Sequence, residues 1–385
     1  MKMQTNLEFL KANEDIIKQN LLTLVKAESP SHDLQLLKEC ELTIKEIFRK
    51  HFGSRFTLIE YSTEYSATHL LYEMKNNLKP RILLMSHYDT VWNAGELQLV
   101  EDENIISGPG IYDMKAGLIS SIWAINSLLN VEKELPFTPV FLFTSDEETG
   151  SESSKKIIES VAKTCDVVFV MEPPESQTNA LKTERKGVGQ FEIKVTGKSA
   201  HAGNHHEDGL NAIVEIAKII VKLERLTDYS QGTTVNVGTI KGGSTSNVVP
   251  EKARIEVDFR FTSDAEGKRI EQLFKTLTTE DDRFSLLISG GVNRPPLEKS
   301  VGNKKLFELA KIAGKKIGMN INESSVGGGS DGNFTSQLGI PTIDGLGIPG
   351  DGAHARNEHI QFNSFAEKCA FIAEFCMVVS RTKTL

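Results

Sequence analysis

Apolar positions follow different repeats in different parts of the chain, and each repeat predicts a different element. Leu7, Leu10, Ile16, Ile17, Leu21 and Val25 recur at helical spacing, and a second helical pattern covers Leu34 to Arg49, so helices open the chain. β-type runs then appear at 56–59, 69–72, 82–85, 140–143 and 167–170, several of them continuously apolar. A strand buried on both faces reads this way, and helical stretches near 114–130 and 151–163 separate the last three runs. The expectation is an α/β fold with a mainly parallel sheet sandwiched by helices.

From about residue 184 the repeat changes to alternation, at 190–195, 234–237 and 254–260, with helices near 209–225 and 265–279 and a strand near 284–289. Alternation means one solvated sheet face. The β-α-β-β-α-β series predicts a small ferredoxin-like α+β domain inserted at 184–292. After Arg294-Pro295-Pro296 the helix and apolar-strand pattern resumes, so 1–183 and 293–385 form one discontinuous main domain.

Composition narrows the class. Hydrophobic residues make up 39% and charged residues 25%, which argues for a globular chain and against disorder. The longest apolar runs are strand-sized, far short of the roughly 18 residues a membrane helix needs. Met1 to Glu8 lack the basic start and apolar stretch of a secretory signal, which points to the cytoplasm. Cys40, Cys165, Cys369 and Cys376 are too irregularly spaced for a zinc ribbon or a disulfide framework. A net charge of −8 without a long basic block argues against nucleic acid as a partner.

Candidate chemistry gathers where apolar strands end. His87 and Asp89 follow the 82–85 strand, Asp146-Glu147-Glu148 the 140–143 strand, and Glu172 the 167–171 strand, with Asp113 between Gly108-Pro109-Gly110 and the next helix. Taken singly, each has a structural reading: a polar strand end, a helix cap, an acidic first turn or a loop carboxylate. Three successive strands ending in such groups is a coincidence that independent surface residues rarely produce. If His87 binds a metal, Asp89 two residues on suits a partner that fixes the imidazole tautomer, and if Glu148 does, its neighbour Glu147 suits a general base. Near the carboxyl end, His354 and His359 are both candidate ligands, and spacing does not choose between them. Two imidazoles and three carboxylates around two divalent ions leave a small positive charge, and mixed nitrogen and oxygen donors without thiolate suit Zn²⁺, with Co²⁺ or Mn²⁺ as substitutes.

The segments Ser86-His87-Tyr88-Asp89-Thr90-Val91, Gly108–Lys115, Ser145-Asp146-Glu147-Glu148-Thr149-Gly150 and Glu172-Pro173 together resemble the dinuclear-zinc exopeptidases related to bacterial glutamate carboxypeptidase. That family includes acetylornithine deacetylase, succinyl-diaminopimelate desuccinylase, aminoacylase and peptidase T. The resemblance implies that His87 and Glu172 hold one zinc, Glu148 and His354 the other, and that Asp113 bridges them. It makes Asp89 the orienter of His87 and Glu147 the general base, and it prefers His354 over His359 through the spacing to Asn357-Glu358. Gly197–Gly203 resembles the family's dimerisation-domain motif, whose histidine, here His201, reaches the partner subunit's active site and stabilises the oxyanion. Ser246–Pro250 places Asn247 at the scissile group or the substrate carboxylate, while Arg260 has a structural reading. Arg294 sits where glutamate carboxypeptidases carry an arginine for that carboxylate, with a hinge salt bridge as its other reading. Gly327–Gly332 matches a cleft loop in which Gly329 lets backbone N–H groups approach substrate. His205 and His206 match nothing in the family pattern.

The resemblance thus implies a homodimeric enzyme that cleaves a peptide or amide bond beside a free carboxylate, taking a small peptide or N-acyl amino acid. The alternative within the class is an N-acyl amino acid deacylase, which shares the catalytic set. A non-catalytic peptide- or metal-binding dimer is opposed by the intact Glu147. A barrel amidohydrolase using His-x-Asp has no place for the inserted alternating domain.

Overall fold

The computed structural model describes residues 4–62 and 67–382, so Met1 to Met3, the start of the segment read for a leader, lie outside the described residues. The chain divides into two units. One runs up to Glu184 and continues through Lys299–Val326 and from Ser330 onward; the other comprises Arg185–Glu298 with Gly327–Gly329.

The larger unit begins with a capping box, in which Thr5 Oγ1 accepts the Glu8 N–H and Glu8 returns a carboxylate oxygen to the Thr5 N–H. The first helical pattern divides into Asn6–Ala12 and Glu14–Lys26, because Asn13 leaves helical geometry and its amide donates to the Phe9 carbonyl at 2.8 Å. Helix Leu34–Phe52 starts on Asp33, whose carboxylate accepts the Gln35 and Leu36 N–H groups. The central sheet has the order Phe56–Tyr61, His69–Met74, Thr138–Thr144, Arg81–His87, Val167–Val170, Thr342–Ile343. Arg81–His87 lies parallel to both neighbours, and Thr342–Ile343 is parallel to Val167–Val170; the first two strands are antiparallel. Alternate residues of the middle strand enter separate cores. Ile82 and Leu84 join the one containing helices Ala116–Val131 and Phe365–Ser380, while Leu83 and Met85 pack with Ile158, Val161 and Phe334 on the other side. Helices therefore cover both faces, which is why these strands read as unbroken apolar runs.

In the smaller unit, strands Gly187–Thr196, Thr234–Gly242, Lys252–Phe261 and Ser285–Arg294 form an antiparallel sheet in which the first and third are central. Helices Ala212–Glu224 and Asp264–Lys275 bury one face, around Phe191, Ile193, Ile255, Phe259 and Phe274. Strand Gly187–Thr196 alternates buried and accessible positions along its length, as a half-solvated sheet requires. This unit extends past the apparent end of its last strand to Glu298, since Arg185 and Leu297 exchange two backbone hydrogen bonds at 3.0 Å. Among the described residues no helix is long and apolar enough to cross a membrane.

Candidate metal centre

Strands Thr138–Thr144, Arg81–His87 and Val167–Val170 are neighbours in the sheet and run the same way, so their carboxyl ends share one edge. Glu147 and Glu148 follow the first, His87 ends the second and Glu172 follows the third. Asp113 comes from Ile111–Lys115, a wide turn that precedes helix Ala116–Val131. The helical pattern read from about 114 starts slightly later, because Asp113 and Met114 have non-helical backbone angles. His354 arrives from a loop 206 residues beyond Glu148, at φ +60°.

These side chains converge. His87 Nε2 lies 3.2 Å from Asp113 Oδ1 and 3.5 Å from Glu172 Oε1. His354 Nε2 lies 3.4 Å from Asp113 Oδ2 and 3.0 Å from Glu148 Oε2. Asp113 thus presents one oxygen to each imidazole. Donor atoms set tetrahedrally about 2.1 Å from an ion are roughly 3.4 Å apart, so these imidazole–carboxylate separations match those around a common zinc-sized ion. Single donor atoms of His87, Asp113 and Glu148 also lie within 4.8 Å of one another. None of these contacts involves His359, whose Nδ1–H donates to the Asn357 carbonyl at 2.7 Å.

The electrostatics point the same way. Burial disfavours a charge on His87, yet hydrogen bonds to Asp113, Asp89 and Glu172 hold its pKa well above the ordinary value. His354 is raised to about 11, chiefly by Asp113 and Glu148. Burial opposes ionisation of Asp113, but the two histidines keep its carboxyl below the usual range. Glu148 is pushed up to about 7, first by burial and then by the Asp113 charge, against the pull of His354. Packed carboxylates here draw positive charge toward themselves, as the ligands of a divalent cation would. Exposure is graded across the site: the His87 side chain is 1% exposed and that of His354 52%. The His87 side is sealed and the His354 side opens to solvent.

Asp89 is fully buried and has more partners than sequence reasoning gave it. Its Oδ1 accepts the Glu147 N–H and its Oδ2 the Glu148 N–H, each at 3.2 Å, and Ser31 donates to Oδ2 at 2.8 Å. His87 Nδ1 is 3.0 Å from the Asp89 carbonyl and 3.4 Å from its carboxylate. The loop after Glu148 is held from two more sides. Asp146 accepts the N–H groups of Ser153 and Ser154, and Asp331 accepts the Ser151 hydroxyl, so the helical pattern read from 151 begins only at Lys155.

Glu358 and Lys115 have a burial and partners that sequence reasoning did not assign. Glu358 is fully buried, and its carboxylate accepts N–H groups of Gly110, Tyr112 and Asp113 together with the Trp92 indole. Lys115 is also fully buried and donates from Nζ to the Ala27 carbonyl at 2.9 Å, at the C-terminal end of helix Glu14–Lys26. Both stand in motifs that carry the resemblance, but nothing in the spacing shows that they are buried.

In the smaller unit, His201 Nδ1 accepts the N–H groups of Gly203 and Asn204 at 3.1 and 3.0 Å. That leaves Nε2 as the proton-bearing nitrogen of an exposed ring. The Ala202 N–H donates to the Asn247 carbonyl at 3.0 Å, so His201 and Asn247 lie on paired loops. Thr245 donates to Asn247 Oδ1, which leaves the amide N–H₂ of an exposed side chain as its outward group. Arg294 is 5% exposed and donates to Asn293 Oδ1 at 2.8 Å. A Cβ on Gly329 would stand 3.1 Å from Arg294 Cδ and 3.0 Å from Val188, so the missing side chain permits close packing here. The Gly328 and Gly329 carbonyls accept Arg185. Arg260 is bidentate to Asp258 at 2.8 Å, a local structural pair.

Comparison with known proteins gives the same direction. Residues 83–378 match the model of peptidase family M20/M25/M40. Carboxypeptidase G2 from Pseudomonas sp. (strain RS-16) is 30% identical over 77% of this chain and 73% of its own. Succinyl-diaminopimelate desuccinylase from Rickettsia bellii (strain OSU 85-389) is 25% identical over 76% of this chain and 80% of its own. Among solved structures, aminopeptidase PepT from Bacillus cereus ATCC 10987 superposes with a TM-score of 0.74 at 25% identity, covering 96% of this chain and 99% of that one.

Proposed function

Because the chain belongs to peptidase family M20/M25/M40, we propose that it is a zinc hydrolase that cleaves a peptide or amide bond beside a free carboxylate, in the manner of a glutamate carboxypeptidase. The observation that carries this reading is Asp113, whose two oxygens face two different imidazoles at 3.2 and 3.4 Å. His87 and Glu172 would hold one zinc, Glu148 and His354 the other, with Asp113 between. When bound, the two ions supply Lewis acidity to the scissile carbonyl and lower the pKa of water.

The chain's own groups account for the rest. Glu147 takes the proton of the attacking water and returns it to the leaving amine. The His201 Nε2–H, delivered from the other subunit of a homodimer, donates to the developing oxyanion, and the Asn247 amide orients the substrate. Arg294 pairs with the substrate carboxylate, and the backbone at Gly329 lets substrate approach closely. Dimerisation is supported by apolar side chains left exposed along one flank of the smaller unit: Val214, Val221 and, on the edge strand, Ile240. Four buried free cysteines support a cytoplasmic setting.

The test is a hydrolysis screen with dipeptides, N-acyl amino acids and their C-terminal amides side by side, before chelation, after it and after adding zinc back. Chelator-sensitive cleavage of free carboxylates but not of amides is expected. Cleavage confined to N-acetyl or N-succinyl substrates makes the enzyme a deacylase instead. Absence of metal-dependent hydrolysis from every substrate refutes the proposal.

A further inference from the structure

The carboxylate of Glu358 fills a concave array of N–H groups rather than pairing with a cation. Its Oε1 accepts the amides of Tyr112 and Asp113 at 2.9 and 3.1 Å; its Oε2 accepts the amide of Gly110 at 3.1 Å and the indole of Trp92 at 2.6 Å. Gly110 has φ +68°, a left-handed residue in the turn whose Gly110, Tyr112 and Asp113 N–H groups face this carboxylate, while the Ile111 N–H donates to the Gly108 carbonyl. Glu358 is fully buried, so without these donors its charge would be strongly disfavoured. The donors in turn would be orphaned without Glu358, since each is taken up in holding this carboxylate.

The contact joins two loops that carry presumptive ligands. Asp113 itself donates one of the N–H groups, and Glu358 stands four residues after His354. That second loop is internally tight: the Ala355 N–H donates to the Gly352 carbonyl and the Glu358 N–H to the Ala355 carbonyl, both at 2.9 Å. A Cβ on Gly352 would lie 2.8 Å from the Asn357 backbone. The Asp113 turn is pinned separately through Lys115 at Ala27. A displacement of Glu358 would therefore shift His354 relative to Asp113, while His87, on the sheet, would stay in place.

We propose that Glu358 is a positioning residue that registers the Asp113 turn against the His354 loop and thereby sets the affinity of the ion shared by Asp113, Glu148 and His354. This rests on the reading of Asp113 as the bridging ligand. Glutamine is nearly isosteric but presents N–H₂ where an oxygen accepted two donors, so Glu358→Gln breaks the array with little change in volume.

Apoprotein prepared by chelation is titrated with zinc in competition calorimetry. Wild type is expected to bind two ions. In Glu358→Gln one of the two affinities should fall by about 10-fold to 100-fold, the usual effect of losing a group that supports a metal ligand, while the other changes much less. Trp92 and Trp123 are the only tryptophans, so an indole ¹⁵N–¹H spectrum should show the Trp92 signal moving in the variant and that of Trp123 staying. Where Glu358→Gln fails to fold, Trp92→Phe removes one donor and should lower one of the two affinities by a smaller factor. Asp113→Asn separates the two readings. If it leaves both affinities unchanged, the bridging assignment and the proposal fall together. If it lowers them while Glu358→Gln and Trp92→Phe both stay within about twofold of wild type, well below that usual effect, only the positioning role is overturned.

Discussion

Asp89 holds Glu147 by its backbone: Oδ1 accepts the Glu147 N–H at 3.2 Å across 58 residues of sequence, and Oδ2 accepts the next N–H, that of Glu148. The same residue reaches His87 Nδ1 through its carbonyl. One aspartate thus ties the proposed base and one ligand from each ion set to a common point. Asp89→Asn replaces an acceptor by a donor facing an N–H group. Turnover at saturating zinc should fall by about 10-fold to 100-fold with KM little changed. A loss carried by KM instead would mean that Asp89 does not position the reacting groups.

Glu147→Gln should remove turnover by a factor of about 10² to 10⁴, the range general-base catalysis supplies, without removing the ions, because the proposed ligand sets do not include Glu147. Metal analysis of the purified variant together with steady-state rates tests this. Unchanged turnover would remove the assignment of the base.

Much of this arrangement was legible before any coordinates. The three strand ends were readable because a strand buried on both faces is unbroken in hydropathy, so the polar residue that ends it stands out. Residue type and position after a strand did not separate His354 from His359; the spacing to Asn357-Glu358 in the resembled motif did, and it is His354 Nε2 that lies 3.0 Å from Glu148 and 3.4 Å from Asp113. The burial of Glu358 and Lys115 was illegible: a charged residue in a loop reads as solvated, and only tertiary packing covers it. The break at Asn13 and the late start of helix Lys155–Ala162 share that origin, because each depends on a side-chain hydrogen bond that competes with helix geometry.

Lys368 offers a stability measurement remote from the site. It is 3% exposed in helix Phe365–Ser380, with Nζ 5.7 Å from the Phe371 ring centre. Burial alone lowers its pKa to about 8 from the usual 10.5. Its folded pKa is thus depressed, so the unfolded chain holds more protons between those values and stability should rise with pH from 8 to 10.5. Below pH 8 the folded state carries the full cost of a buried charge. Lys368→Met should accordingly raise stability at pH 7 by on the order of 2 kcal/mol and flatten that rise, as read by urea denaturation across pH. A destabilised variant would show that the ammonium is solvated or paired.

Arg294→Ala should raise KM for substrates with a free carboxylate by about 30-fold or more, the cost of leaving a hydrogen-bonded charge without its partner, and should leave the matching amides nearly unaffected. Arg294→Lys should not restore binding, because an ammonium lacks the guanidinium fork. Equal losses on acids and amides would instead assign Arg294 to the packing against Gly329.

His201 decides whether the site is built from one chain or two. Two backbone N–H groups on Nδ1 fix the tautomer and aim a single proton, on Nε2, away from its own loop. If that proton serves the other subunit, His201→Ala and Glu147→Ala are complementary when they meet in one dimer. The subunit with intact Glu147 then receives an intact His201 from its neighbour, and the second site lacks both groups. Random pairing of equal amounts makes half of the dimers mixed, so about a quarter of wild-type activity should return from two nearly inactive parents. A histidine acting within its own chain gives no such recovery, because each subunit then lacks one essential group whatever its neighbour. Refolding or co-expressing the two variants and measuring kcat per site distinguishes these outcomes, with Glu147→Ala alone as the baseline.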